Sequence, residues 1–195
     1  MRKYTLSLLL LLAALSVSAR SVRQAWVSLP DSIFPYLDKN LRLECLDLYD
    51  MKVKADVKNL LGEHSVLDSL TNDYLHVTLS PSSEFAMKSL PSGKDSVIYS
   101  ILTIAGPAKE SVITPAVVAP SWDCYFLQRP DTMSEERYAE LRKMIEPRMV
   151  WAEFSVSSPE LIFHVSLPMM NQADREALNV ILRPQKLIWD GKSFK

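Results

Sequence analysis

Two histidine–carboxylate pairings are the parts of this sequence whose residue types and spacing could do acid–base chemistry. The first is Glu153 with His164. A four-residue hairpin loop over Ser157–Glu160 would set the two directly opposite each other on the outward face of a strand pair. A carboxylate that orients an imidazole can serve general-base catalysis. No nucleophile is identifiable beside the pair, and a cross-strand ion pair accounts for the same spacing. The second is His76, preceded by Asp73 and Tyr74 and faced across a hairpin by Glu84. Leu75, Val77 and Leu79 alternate with His76, so the imidazole points away from their core face, as an exposed polar sheet face also requires.

A third constellation is aromatic. Trp26, Trp122, Trp151 and Trp189, with Tyr125 and Phe126, could line a ligand groove. Trp122, Tyr125 and Phe126 are its candidate binding residues, and filling the gap between helices and sheet is the competing role. Other chemistries lack their residues. The four glycines, Gly62, Gly93, Gly106 and Gly191, fall at element boundaries and form neither a phosphate-cradling loop nor a dinucleotide fingerprint. There is no Gly-x-Ser-x-Gly elbow. Cys45 and Cys124 are 79 positions apart, and His64, His76 and His164 have no i, i+4 spacing, so no zinc signature exists. No acidic ladder resembles a calcium loop. The expectation is therefore no metal and no cofactor.

These residues need a scaffold, and the stretch from His64 to Val118 supplies it. Short apolar runs alternate with polar residues and are separated by Asn-Asp, Ser-Pro-Ser and Pro-Ser-Gly turns, the pattern of an antiparallel strand meander. A Ser80-Pro-Ser82 loop pairs Val77 with Phe85 and Leu75 with Met87, all facing the core. Lys109 to Val118 reads as a further strand, ended by Pro115 or Pro120. Lys52–Lys58 alternates with Val53, Ala55 and Val57 on one face.

Helices flank the meander. Asp31 can cap a short helix limited by Pro35, and Asp38 a second running to about Asp50. Leu41, Cys45 and Leu48 form the second helix's stripe, widened by Leu43, Leu46 and Tyr49, and an extended reading of Leu41–Leu48 stays open. Ala119 to Asp131 is irregular and crosses to the remainder. Thr132-Met-Ser-Glu135 reads as a capping box for a helix to Glu146, with Tyr138, Leu141 and Ile145 inward. Strands follow over Met149–Ser157 and Leu161–Leu167. Asn171 caps a helix to about Leu182 with Ala173, Ala177, Val180 and Ile181 inward, and Lys186–Trp189 is a last strand. The expected class is α+β: a curved, mostly antiparallel sheet built from the meander, with helices packed on one face. The helix-then-strands unit occurs twice, suggesting two loosely related halves, 24–120 and 121–195.

The N-terminus points to a compartment. Arg2 and Lys3 precede the apolar run Leu6–Val17, and Val17-Ser18-Ala19 offers small residues for cleavage after Ala19. Residues 1–19 read as a secretory signal peptide, because the run is shorter than the ~20 residues that span a bilayer. Cleavage leaves residues 20–195 as one α+β domain with no later membrane span. It also removes two cations, so the formal charge moves from −1 to −3. A weakly acidic chain without a basic run gives no electrostatic reason to bind nucleic acid. An oxidising compartment would permit a Cys45–Cys124 disulfide, although Cys45 among leucines also reads as a small core residue.

The run Leu29-Pro-Asp-Ser-Ile-Phe-Pro-Tyr-Leu37, Asn40–Tyr49, Ala55–Gly62, Leu70–Leu75 and Thr103–Ser111 resembles the secreted family catalogued as domain of unknown function 3256, typical of Bacteroides and its relatives. The likeness covers residues 26–125 well and the C-terminal third loosely. The chain has Glu110-Ser111 where the family has an Asp-Ser pair, and Cys45 where an aliphatic residue is usual, which favours a core role for that thiol. The resemblance implies a periplasmic or secreted location. It implies no activity and supplies no catalytic residue. The leading expectation is a non-catalytic binding or interaction module of the cell envelope, partnered by an unknown protein or envelope component. An envelope-acting hydrolase using the Glu153/His164 or His76/Glu84 pair is the second reading, and a protein inhibitor or adhesin-like module the third.

Overall fold

The structure, a computed structural model, describes residues 21–106, 108–117, 119, 126–146, 149–167 and 169–195. The expected signal peptide with its cleavage point, together with Trp122, Cys124 and Tyr125, lies outside the described residues.

Alternation and turn residues build the meander as expected. Six strands follow one another: β1 (Asp56–Lys58), β2 (His64–Leu70), β3 (Tyr74–Ser80), β4 (Ser83–Ser92), β5 (Asp95–Ala105) and β6 (Lys109–Thr114). They pair antiparallel in sequence order, because short turns return each strand beside its predecessor. Gly62 and Gly93 take positive φ at two of these turns, where a side chain would strain the backbone. Val77 faces Phe85 and Leu75 faces Met87, the predicted register. A bulge at Leu79 then lets Ser80 pair with Ser83. β6 ends at Thr114, before Pro115. At β1, Ala55 and Val57 are buried as expected, whereas Val53 precedes the strand and is exposed.

One face of this sheet carries Leu67, Leu75, Val77, Leu79, Phe85 and Met87, and two helices cover it: α1 (Val22–Ser28) and α2 (Lys39–Asp50). Asp38 caps α2 as predicted, accepting from the Leu41 amide at 3.0 Å. Helix α1, capped by Ser21, has no counterpart in the sequence reading. Seven residues carry too few turns for a legible period, and tertiary packing holds them. Its anchor is Trp26, fully buried and stacked on Phe85 at 5.8 Å, with Phe34 edge-on to Phe85 at 4.9 Å. Cys45 is a free thiol in this core. Burial, then the Glu44 charge, pushes it up to about 12, so it is an inert packing residue.

Arg42 is the unexpected member of that core. It lies on the stripe read as apolar, and none of its side chain is exposed. Its guanidinium donates to the Leu37 carbonyl at 2.8 Å, the Leu29 carbonyl at 2.6 Å and the Asp31 carboxylate at 2.9 Å. It also lies 5.7 Å from the Trp26 ring centroid. Asp31 therefore caps no helix. It sits in a turn and pairs with Arg42.

The other sheet face carries Tyr74, Ala86, Leu90, Tyr99 and Ile101. A second sheet covers it, ordered β7 (Met149–Phe154), β8 (Glu160–Ser166), β9 (Gln185–Ile188), with α3 (Glu135–Met144) and α4 (Gln172–Ile181) contributing Leu141, Leu178 and Ile181. The class is α+β with open, curved antiparallel sheets. The C-terminal strands form their own sheet, and among the described helices only α1 and α2 rest on the far face of the meander. Side chains join the two sheets. The Ser111 hydroxyl accepts from the Ala152 amide at 3.0 Å, the Ser166 hydroxyl donates to the Lys109 carbonyl, and the Trp189 indole donates to the Pro91 carbonyl at 2.7 Å. Two helix details differ from expectation. Ser134, not Thr132, caps α3, because 130–133 close a turn first. In α4, capped by Asn171 as predicted, Leu178 and Ile181 are buried while Ala173 and Val180 are exposed.

Replacing Arg42 by Met keeps the stem volume but strands two buried carbonyls. Arg42→Met is expected to lower the unfolding free energy by about 2–4 kcal/mol in urea titration, and Asp31→Asn by under ~1 kcal/mol, since that carboxylate is half-exposed. Equal small losses would show that solvent replaces the guanidinium.

Candidate functional site

The two predicted histidine sites meet. A cleft of about 220 Å³ lies between the polar end of the six-stranded sheet and β7. His76 and Glu84 line it from the first sheet, Trp151 and Glu153 from the second. Tyr74, Ile101, Phe154 and Val156 complete much of its wall. His76 thus does not lie on an open polar face: the second sheet roofs it, leaving 27% of its side chain exposed.

A β-bulge builds the His76 side. Pairing slips between Leu67 and Ser69, so Asp68 is the extra residue of β2 and Ser69 faces His76. One Asp68 oxygen contacts His76 Nδ1 at 3.1 Å and accepts from the Thr78 amide at 2.9 Å and the Thr78 hydroxyl at 2.8 Å. A carboxylate held by three groups fixes the imidazole orientation. The ring's Nδ1 is thereby turned to β2 and its Nε2 to Glu84 on β4, at 3.9 Å. Glu84 in turn accepts from Lys109 at 3.2 Å.

The Glu153/His164 pair forms, but in a different register. The strands are offset by two residues from the expected pairing, so His164 faces Trp151 and Glu153 faces Ile162. The loop is 155–159, five residues where four were expected, and it begins two residues earlier. An even offset leaves every side chain on its face, and the pair closes diagonally with His164 Nε2 2.9 Å from Glu153. The imidazole stacks on Trp151 at 4.2 Å and 12°. Lys109 reaches the same indole, 4.8 Å from its centroid. A chain of contacts therefore runs Asp68–His76–Glu84–Lys109–Trp151–His164–Glu153 across both sheets.

Asp68 and Lys109 are the residues that sequence reasoning missed. Their signal, eight residues before His76 and 25 after Glu84, has meaning only once strand register is known. Asp73, read as a neighbour of His76, instead pairs with Lys88 at 3.0 Å. Lys88 is buried, donates to the Val156 carbonyl at 2.8 Å and lies 5.7 Å from the Tyr74 ring centroid. It is a strut between β4 and the β7–β8 loop at one wall of the cleft. Among the described members of the aromatic constellation, Trp26 and Trp189 are buried in different cores and Trp151 lines the cleft. Phe126 is fully buried core. Among the described residues, no group of three or more His, Cys, Asp or Glu could hold a metal ion, and no helix is long and apolar enough to cross a membrane.

The family model matches residues 14–194. The chain belongs to the family described as protein of unknown function (DUF3256). The match takes in the C-terminal third, where the sequence likeness alone is loose, and so spans both sheets and the cleft. A solved structure, a domain of an uncharacterized protein from Porphyromonas gingivalis W83, is similar in fold with a TM-score of 0.68 at 18% identity. That likeness covers 89% of this chain and 98% of the other. No curated protein matches the sequence.

The Lys88–Asp73 strut has a pH signature. Burial by itself would raise Asp73, but the Lys88 ammonium and the Thr71 hydroxyl outweigh it and hold the carboxyl below its usual value. A carboxyl with a folded pKa below its unfolded one stabilises at pH above about 4 and loses that contribution as pH falls through the folded value. In urea unfolding, the gap between wild type and Asp73→Asn is therefore expected at pH 6 and to narrow at pH 3. A gap independent of pH would show that Asp73 acts through shape alone.

Proposed function

We propose that the protein is a periplasmic or secreted module of the cell envelope that binds a small envelope component in the inter-sheet cleft, without catalysis. The observation that carries this reading is the convergence of Tyr74, His76, Glu84 and Glu153 on one concave site with an apolar wall. Such a pocket, with a few convergent polar groups, is the usual form of a ligand site. The sequence supports the compartment through Arg2, Lys3, the Leu6–Val17 run and the small residues before Arg20.

A hydrolase is the second reading, favoured by the Asp68–His76 contact, which orients an imidazole as a general base requires. Three features weigh against it. His76 Nε2 faces Glu84, His164 is engaged by both Glu153 and Trp151, and His164 is not among the residues that line the cleft.

Two measurements test this. Native mass spectrometry of the protein recovered from an envelope extract is expected to show a small-molecule adduct that is lost in Ala86→Phe, which fills the cleft wall. Turnover of an ester, amide or glycoside reporter that falls at least ~100-fold in His76→Ala or His164→Ala would replace binding with hydrolysis. For the compartment, residues 1–195 expressed in a Gram-negative host are expected in the osmotic-shock fraction with a mass beginning at Arg20. A chain that keeps residues 1–19 and stays in the cytoplasm would overturn the secreted reading.

A further inference from the structure

The geometry points to a small organic ammonium as the ligand of the inter-sheet cleft: a primary amine whose cationic head lies among Glu84, Glu153 and the Tyr74 hydroxyl, with its apolar body against Ile101 and Val156. This inference rests on the binding reading above and names the ligand's chemical class.

Tyr74 supplies the first argument. Its side chain lines the cleft and the residue is only 7% exposed, yet no group among the described residues hydrogen-bonds its hydroxyl, which keeps solvent contact. A tyrosine buried this far ordinarily pairs its hydroxyl within the protein, so here the partner must enter from the cleft. An ammonium N–H donated to this oxygen would satisfy it.

Charge supplies the second. Glu84 and Glu153 line the cleft and Asp68 stands behind His76, while among the described residues Lys109 is the cation paired with Glu84 and the Lys88 charge is matched by Asp73. Three carboxylates face that one ammonium. The Tyr74 hydroxyl registers the carboxylates: burial first, then Glu153, Asp68 and Glu84, push it up to about 12. The carboxylates act on this hydroxyl from three sides, so an anionic ligand is disfavoured beside it.

The protein already shows the fit. Lys109 sets its own ammonium 3.2 Å from Glu84 and 4.8 Å from the Trp151 centroid, an ammonium between a carboxylate and an indole. The cleft's 220 Å³ is below the roughly 300–1,000 Å³ of drug-sized sites, so the ligand is small.

Methyl-labelled NMR of the full chain tests this with three isosteres: n-butylammonium, n-butanol and butyrate. Butylammonium is expected to shift the Ile101 and Val156 methyls saturably, and the other two are not. Glu153→Gln and Tyr74→Phe should each weaken that binding about tenfold, the loss expected for one hydrogen bond to a charged group. Each variant's fold is checked by its amide spectrum, and Tyr74→Phe decides if Glu153→Gln misfolds. Butanol or butyrate binding as well as the amine would overturn the ammonium assignment while leaving a binding cleft. Unchanged affinity in both variants would overturn it too. If none of the three shifts these methyls, the ammonium proposal fails, and native mass spectrometry alone then decides whether the cleft binds at all.

Discussion

The fold depends on burying both faces of β4. Phe85 and Met87 point to the core under α1 and α2, while Ala86, Lys88 and Leu90 point to the second sheet. A strand buried on both sides fixes the layer order: helices, six-stranded sheet, three-stranded sheet. It also forces the polar residue on that strand to find partners indoors. Lys88 does so by reaching the Val156 carbonyl and Asp73, and this ties the second sheet to the first at a defined place. A buried ammonium left alone would cost several kcal/mol, so the strut holds the sheets in one alignment.

The same face is apolar at one end and polar at the other. From Leu90 and Tyr99 through Ala86 and Ile101 it is packed, and toward Glu84, His76 and Thr103 it is not. Polar side chains there are too many to bury dry, and the second sheet stands off from them. The cleft is what remains. The two histidine pairs connect through Lys109 and Trp151, one contributed by each sheet, so the site exists only where the sheets face each other.

The N-terminal cap follows a parallel rule. Arg42 sits on a helix face that would otherwise be apolar, and it collects the carbonyls at Leu29 and Leu37 that the irregular 29–37 segment leaves without strand or helix partners. Irregular backbone inside a core needs such a donor. One charged side chain here substitutes for a helix or a strand.

Much of this was legible in the residues. Period-two alternation gave the meander, the Val77–Phe85 register and the face on which His76 lies. Asp38 and Asn171 announced their helices, because a cap is a local hydrogen bond between a side chain and its own first turn. The family likeness held. What the residues left open was what covers each face. Alternation says which side chains share a side of a strand and nothing about the layer opposite. The Glu153–His164 hairpin shows the limit: a two-residue slip preserves every face, so the pattern could not choose between registers. Asp68, Lys109 and Arg42 became visible only in three dimensions, because each acts on partners set by bulge, register and layer packing rather than by spacing along the chain. The sequence by itself determined the class, the faces and the family. Tertiary structure decided that His76 and Glu153, distant along the chain, share one cleft, since only the stacking of one sheet on the other brings them together.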